Sequence, residues 1–362
     1  MLNTNTALIA ARRNLAPVLA GGATAAATVA MSLAAAIAGA GTAHAATSSV
    51  VPLVVYSAQG YDSTETTAFQ KATGIPVQLD DNSTGPLLTK IEAEKNNPKW
   101  GLLWVDGATA FAMLDQQHLL MRGFEPDVSW NTLGKNAVPP DHSYIPTGVT
   151  MAGTLVYDAK TLSDPPGSWA ALLNKKWTGE VGMNDPAVSG PTYPFVAGMM
   201  QHLGGVAAGE KYYEALASNG LHVYLTNGDT LAALEAGIIK VALIQSSAGV
   251  GAGIKTHGAI KTKFLDPVAA LPSAIGIDRK APKAERLEAE KFAEFVLSPQ
   301  GQKLMQSGDP TGDSLYWPVV QGVNALPALP KLSSVPVEYI NPNTWGGRED
   351  TINTWFTDNI VE

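Results

Sequence analysis

Six times along this chain a short apolar run ends in a small loop of glycine, hydroxyl and acidic residues that opens onto a helix-like segment. The six loops are YSAQGYDST (56–64), DNSTGPLL (81–88), WVDGATA (104–110), NDPAVSGPT (184–192), TNGDT (226–230) and IQSSAGVG (244–251). Strands that alternate with helices of this length imply a parallel sheet with right-handed crossovers, an α/β fold. In such a sheet the loops gather at the carboxyl ends of the strands, the edge where these folds hold ligands. Helix starts there present free N–H groups and the positive end of the helix dipole, which suit an anion. One such loop alone is a cap. Six, spread over two halves of the chain, predict two rims that face each other across a cleft.

The punctuation between the loops divides the chain. The continuous apolar run 51–56 reads as a strand buried on both faces, and Asp62–Glu65 has capping-box spacing. Gly74 stops the helix and 75–79 is the next strand. Residues 142–158 (HSYIPTGVTMAGTLVYD) are extended without helical period and predict a crossover to a second domain. Residues 168–177 (SWAALLNKKW) read as helical. The extended, Pro-containing stretch 261–278 carries the chain back. A helix follows with Ala289, Phe292, Ala293 and Val296 at i, i+3, i+4 and i+7, and Ser298-Pro299 starts another. The tail 348–362 predicts a last amphipathic helix. The expected division is 46–148 plus 271–362 for a discontinuous first domain and 149–270 for the second. A chain of 362 residues that is 45% apolar and 15% charged has the material for two cores.

Residues 1–45 are set apart from the fold. Arg12 and Arg13 precede a weakly apolar run that ends in Ala43-His44-Ala45, the pattern of a signal peptide cut before Ala46. Paired arginines also fit the twin-arginine route. There are no cysteines, so no disulfide, thiolate ligand or lipid-modified cysteine is available. The expected mature chain is therefore free in the periplasm, with 22 basic against 32 acidic residues and a net charge of −10. That balance argues against a nucleic-acid partner.

Enzyme signatures are missing: there is no Gly-x-Ser-x-Gly, no His-Glu-x-x-His and no phosphate-loop lysine. The histidines outside 1–45 (His118, His142, His202, His222 and His257) are scattered without ligand spacing. A secreted hydrolase using Ser189 or Ser247 would need a partner histidine from elsewhere in the chain.

Against this background LVVYSAQGYD, AFQKATGIPVQL, STGPLLTKIEAEKNNPKW, LLWVDGATAFAMLDQQHLL, NDPAVSGPTYPF and AEKFAEFVLSPQGQKLMQSGDP resemble the extracytoplasmic solute-binding proteins of bacterial ATP-binding-cassette importers. More narrowly, the chain resembles the branch with ferric-ion-, phosphonate- and sugar-phosphate-binding members. The resemblance implies a type 2 periplasmic-binding-protein-like fold, with two α/β domains joined by two β-strand crossovers at the hinge. It also implies closure on a small solute, docking on a membrane permease, a monomer, and neither catalysis nor cofactor. Ferric members place adjacent tyrosines where this chain has Ser247 and Ala248, which disfavours iron and leaves no metal site expected. Gly101 stands where relatives often carry an acid.

Hydroxyls and helix starts fit a phosphonate, a phosphate ester or a similar anion. The expected contacts are Ser57 and Ala58 in the first loop, Ser83, Thr84 and Gly85 in the second, and Ser189, Gly190 and Thr192 in the opposite domain. Ser246 and Ser247 add hydroxyls. Asp106 and Asp229 do not suit a bare anion but would pair with the ammonium of a zwitterion such as an aminophosphonate. Tyr56, Trp104, Tyr193 and Trp317 are aromatics able to pack on a ligand or in the core. The competing expectation is a cation, such as a polyamine or a thiamine-like amine, held by Asp106 and Asp229 near aromatic rings.

Overall fold

Buried on both faces, the first apolar run forms β1 (Leu53–Ser57) in the computed structural model, which describes residues 51–309 and 314–361. The predicted signal peptide over 1–45 lies outside the described residues. The alternation continues through α1 (Asp62–Thr73), β2 (Val77–Asp81), α2 (Thr84–Glu94), β3 (Leu102–Asp106) and α3 (Ala108–Gln116). β1 pairs in parallel with both β2 and β3. After α4 (Thr132–Ala137) comes β4 (Ile145–Ala152), buried along its whole length.

The chain changes sheets at Gly153, which has φ +65°. A Cβ there would lie 2.0 Å from Phe195 Cδ2, so glycine is the residue that makes this turn. Beyond it β5 (Thr154–Asp158) enters the second sheet. The second βα series is β6 (Val181–Asn184), α5 (Thr192–His202), α6 (Val206–Ser218), β7 (His222–Tyr224), α7 (Asn227–Glu235), β8 (Val241–Ile244), α8 (Ser246–Lys255) and β9 (Ile260–Lys263). The chain returns to the first sheet in β10 (Val268–Ile277) and ends with α9 (Lys283–Leu297), α10 (Pro299–Ser307), β11 (Val337–Glu338), α11 (Pro342–Gly346) and α12 (Glu349–Phe356).

The first sheet runs β11-β10-β3-β1-β2 with β4 on β10, and the second runs β7-β6-β8-β5-β9. The two β-strand crossovers are β4 to β5 and β9 to β10. Each sheet has its own apolar clusters. In the first lobe Phe69, Trp104 and Phe292 meet edge to face at 5.1–5.6 Å between centroids. The second lobe gathers Trp169, Tyr193, Phe195, Met200 and Tyr213. The predicted face of α9, with Ala289, Phe292, Ala293 and Val296, is fully buried.

Some local expectations gave way to packing. Residues 168–177 form two short 3₁₀ turns rather than a helix. The Asp62–Glu65 spacing makes no capping box, because Glu65 is turned into the core and the residue before α1, Tyr61, makes no side-chain cap. At Gly101 an acid does arrive, but from a distance: Glu285 Oε1 accepts from Val54 N at 3.1 Å and would lie 2.5 Å from any Cβ on Gly101. The tail joins the second lobe, with Trp345 of α11, Ile352 and Phe356 of α12 and Ile360 just beyond it in that lobe's apolar cluster, whereas the sequence division put the tail with the first. α11 meanwhile packs against α3 of the first lobe, where a Cβ on Gly346 would lie 2.6 Å from Thr109 O.

Candidate functional site

All six loops reach one cavity of about 430 Å³ between the lobes. The first loop supplies Ala58, Gln59, Gly60, Asp62 and Ser63, the second Asp81, Asn82, Ser83 and Thr84, and the third Asp106. From the second lobe come Ser189, Gly190 and Pro191, then Thr226, Asn227 and Gly228, then Gln245. Tyr316 completes the lining. The strands end and the helices begin at this rim, so residues at the starts of α1, α2, α5 and α7 are in its lining, where the positive ends of the helix dipoles lie.

The lining is electrostatically lopsided. Its three carboxylates, Asp62, Asp81 and Asp106, all belong to the first lobe, and the second lobe contributes hydroxyl, amide and backbone groups. No lysine, arginine or histidine is among the lining residues.

Asp106 is buried and saturated. Gln59 Nε2 donates to its Oδ1 at 3.0 Å, and Gln245 Nε2 and the Tyr316 hydroxyl donate to its Oδ2 at 3.1 and 2.7 Å. Burial raises its pKa, and the hydrogen bonds from Tyr316, Gln59 and Gln245 work against that. Gln245 lies in the second lobe and also donates to the Tyr316 hydroxyl at 2.9 Å, so this cluster ties the lobes together. Behind it an amide chain runs through the second lobe: Asn227 Nδ2 to Gln245 Oε1 at 3.4 Å, Asn184 Nδ2 to Asn227 Oδ1 at 2.7 Å and Asn184 Nδ2 to Ser189 Oγ at 3.1 Å.

Asp62 has the opposite character. It is 2% exposed and its Oδ2 has no hydrogen-bond partner. Burial pushes its carboxyl up from 3.8 to about 6; the Ser57 hydroxyl holds it back and the nearby charge of Asp81 adds to the rise. A buried acceptor without a donor, in the wall of a cavity, can take an N–H or O–H from an occupant.

Of the residues expected from sequence, Ala58, Ser83, Thr84, Asp106, Ser189 and Gly190 line the cavity. The others serve its frame. Ser57 Oγ accepts from Gln59 N at 3.1 Å, and Ser246 Oγ pairs with Thr150 Oγ1 at 2.7 Å and accepts from Met151 N at 3.1 Å. Ser247 is buried on the same turn, and Thr192 is buried at the start of α5. Tyr193 lies in the second core with its hydroxyl donated to the Trp345 carbonyl at 2.5 Å. Asp229 closes a capping box with Thr226 on α7, accepting from Thr226 N at 3.1 Å. Trp104 donates Nε1 to Thr147 Oγ1 inside the first core. Tyr56 donates to Glu94 Oε2 beneath the Lys90 ammonium, and Trp317 donates to the Pro330 carbonyl. Sequence reasoning missed Gln59, Asp62, Asp81, Asn227, Gln245 and Tyr316. The first five sit inside the six loops, where position at a strand end was itself the signal.

The lobes also touch through backbone. Gly85 N donates to Val188 O at 3.2 Å across the cleft, and a Cβ on Gly85 would sit 2.0 Å from Ala187 O. Alanine at position 85 is therefore compatible with α2 but not with this approach. We expect Gly85→Ala to disfavour the closed arrangement seen here, since backbone must move to admit the Cβ, and to leave an open arrangement of the lobes unstrained. Solute affinity should fall at least tenfold, because binding then has to proceed without this contact. Unchanged affinity by isothermal titration calorimetry would show that the approach plays no part in binding.

Residues 66–336 match a family described as bacterial extracellular solute-binding protein. A Salmonella typhimurium protein, named as a candidate 2-aminoethylphosphonate-binding periplasmic protein, is 25% identical over 240 residues, covering 65% of this chain and 68% of the relative. Among solved structures, iron-bound HitA from Pseudomonas aeruginosa superimposes with a TM-score of 0.71 at 22% identity, covering 85% of this chain and 99% of that one. AfuA from Actinobacillus pleuropneumoniae with fructose-6-phosphate gives 0.75 at 17% identity, covering 86% and 98%. The periplasmic binding protein P5PA gives 0.74 at 21% identity, covering 85% and 99%.

Proposed function

The chain belongs to the bacterial extracellular solute-binding proteins, and from that premise we propose that it captures a small zwitterion of the aminophosphonate type between its lobes. It would work as a monomer in the periplasm, exported by the signal peptide over 1–45, and deliver its cargo to the permease of an ATP-binding-cassette importer. Binding, not catalysis, is its task.

The carrying observation is the polarity of the cavity. Helix starts and hydroxyls at Ser83, Thr84, Ser189, Gly190, Asn227 and Gly228 suit the anionic head. The partnerless Oδ2 of Asp62, with Asp81 beside it, suits an ammonium. A bare phosphate would meet three carboxylates and no basic side chain, which argues for a solute that carries its own positive charge. The Salmonella relative's name points to the same chemistry.

A thermal-shift and calorimetric series tests this with 2-aminoethylphosphonate, ethylphosphonate and ethanolamine. The zwitterion is expected to bind at least a hundredfold more tightly than either half. At a ligand concentration about a thousand times Kd the stabilisation should reach about 4 kcal/mol. The three lining carboxylates also favour a second reading, in which the solute is a simple cation. Ethanolamine or thiamine binding as tightly as the aminophosphonate would select it, and ethylphosphonate binding best would sink both.

A further inference from the structure

Beside the solute cleft lies a second cavity, of about 620 Å³, which shares only Thr84 and Gly190 with it. α2 and α3 of the first lobe, residues 186–190 of the second lobe and the last helix, α12, enclose it. Every charged residue in its lining is acidic: Glu92, Glu349, Asp350 and Asp358. Leu88, Met113 and Leu114 give it an apolar strip. Two buried acceptors one helical turn apart on α12, Glu349 Oε2 and Asn353 Oδ1, have no hydrogen-bond partner, and Glu349 is only 7% exposed.

We propose that this cavity is a second binding site, built for an aliphatic polycation of the polyamine class and separate from the solute cleft. An ammonium carries three donors and no acceptor, which is what a pair of donorless buried acceptors lacks. Asp350 and Asp358 receive the other charged ends, Glu92 being already paired with Lys95, and the methylenes between them cover the Leu88, Met113 and Leu114 strip. Because both lobes wall the cavity, an occupant stabilises the closed arrangement over an open one.

The empty site has its own solution to the missing donor. Burial, and then the charge of Asp350, push Glu349 up to about 8, while Thr109 on α3 opposes the rise. Its surroundings also include Tyr193 of α5, and Arg348, whose guanidinium lies 5.4 Å over the Trp345 ring. At neutral pH a proton therefore resides on Glu349, and a bound ammonium displaces it. Affinity for the polycation consequently rises with pH between 7 and 8, and binding releases a proton to the buffer.

The test is calorimetric titration of spermidine at pH 7.5 in about 150 mM salt, where diffuse attraction to an acidic protein is screened. The same titration is repeated in two buffers of different ionisation enthalpy. One site is expected, with buffer-dependent heat, an affinity lowered at least tenfold by Glu349→Gln and severalfold by the rim variant Asp358→Asn. Asp62→Asn, in the solute cleft, should change it less than twofold. Asp358 is exposed, so that variant keeps the test decisive should Glu349→Gln unfold. No heat at millimolar spermidine overturns the proposal. So does affinity that survives both Glu349→Gln and Asp358→Asn, and so does loss with Asp62→Asn alone, which would place the cation in the cleft.

Discussion

Replacing Asp62 by asparagine is expected to stabilise the empty protein at pH 7.5 while removing most of its affinity for an aminophosphonate. The folded carboxyl titrates at about 6 against an ordinary value of 3.8. Between those values the folded state holds a proton that the unfolded state has lost. Stability therefore falls as pH rises through that window and stays lower above it. The ionised group costs up to about 3 kcal/mol at neutral pH, taking 1.36 kcal/mol per pKa unit. The asparagine variant lacks that cost, and its stability profile between pH 4 and 6 should be flatter. In the complex the signs reverse, because an ammonium favours the carboxylate. Affinity of the unaltered protein should fall about tenfold per pH unit once pH drops below 6. Denaturant unfolding and calorimetry across pH 4–8 read both effects. A destabilised variant, or one that binds as tightly as before, removes Asp62 from the site.

Asp106→Asn is expected to act in the other direction, weakening both fold and binding. The carboxylate accepts three hydrogen bonds, two of them on Oδ2 from Gln245 and Tyr316. An amide oxygen can serve one side only, and its NH₂ would then confront donors on the other. Buried donors left without acceptors cost about 1–3 kcal/mol each. Because Gln245 reaches over from the second lobe, part of that cost falls on closure. Affinity should drop about a hundredfold, and small-angle scattering should show a larger radius at ligand levels that close the parent protein. A variant that closes and binds like the parent would mean that the Gln245 contact is incidental.

The two aspartates also show how far the sequence could be read. The loops were legible because strand end, glycine and helix start are local facts, and all six reach the cavity. The crossovers were legible for the same reason, as extended runs without helical period. Which acid in a loop faces the ligand was not. Asp62 has capping-box spacing yet lines the cavity, and Asp229 looked like a ligand acid yet caps α7. Spacing alone does not distinguish them, since either side chain can reach its own backbone. The decision comes from what the rest of the fold packs against each helix start. Tyr316 had no local signal at all, because it arrives from a segment 210 residues beyond Asp106. Nor did Tyr193 show which way it faces until Trp345 supplied the carbonyl that accepts its hydroxyl.

The α12 contacts have a consequence for the order of events during synthesis. Ala152, at one end of the second apolar cluster, and Phe356 and Ile360, at the other, belong to the same core. A nascent chain that has passed β9 has every strand of the second sheet but not the side chains that seal its helices. While Ile352, Phe356 and Ile360 remain in the ribosomal tunnel, this lobe stays an incomplete intermediate with apolar surface exposed. The second lobe thus delays its own completion until residues about 200 positions beyond its first strand have emerged.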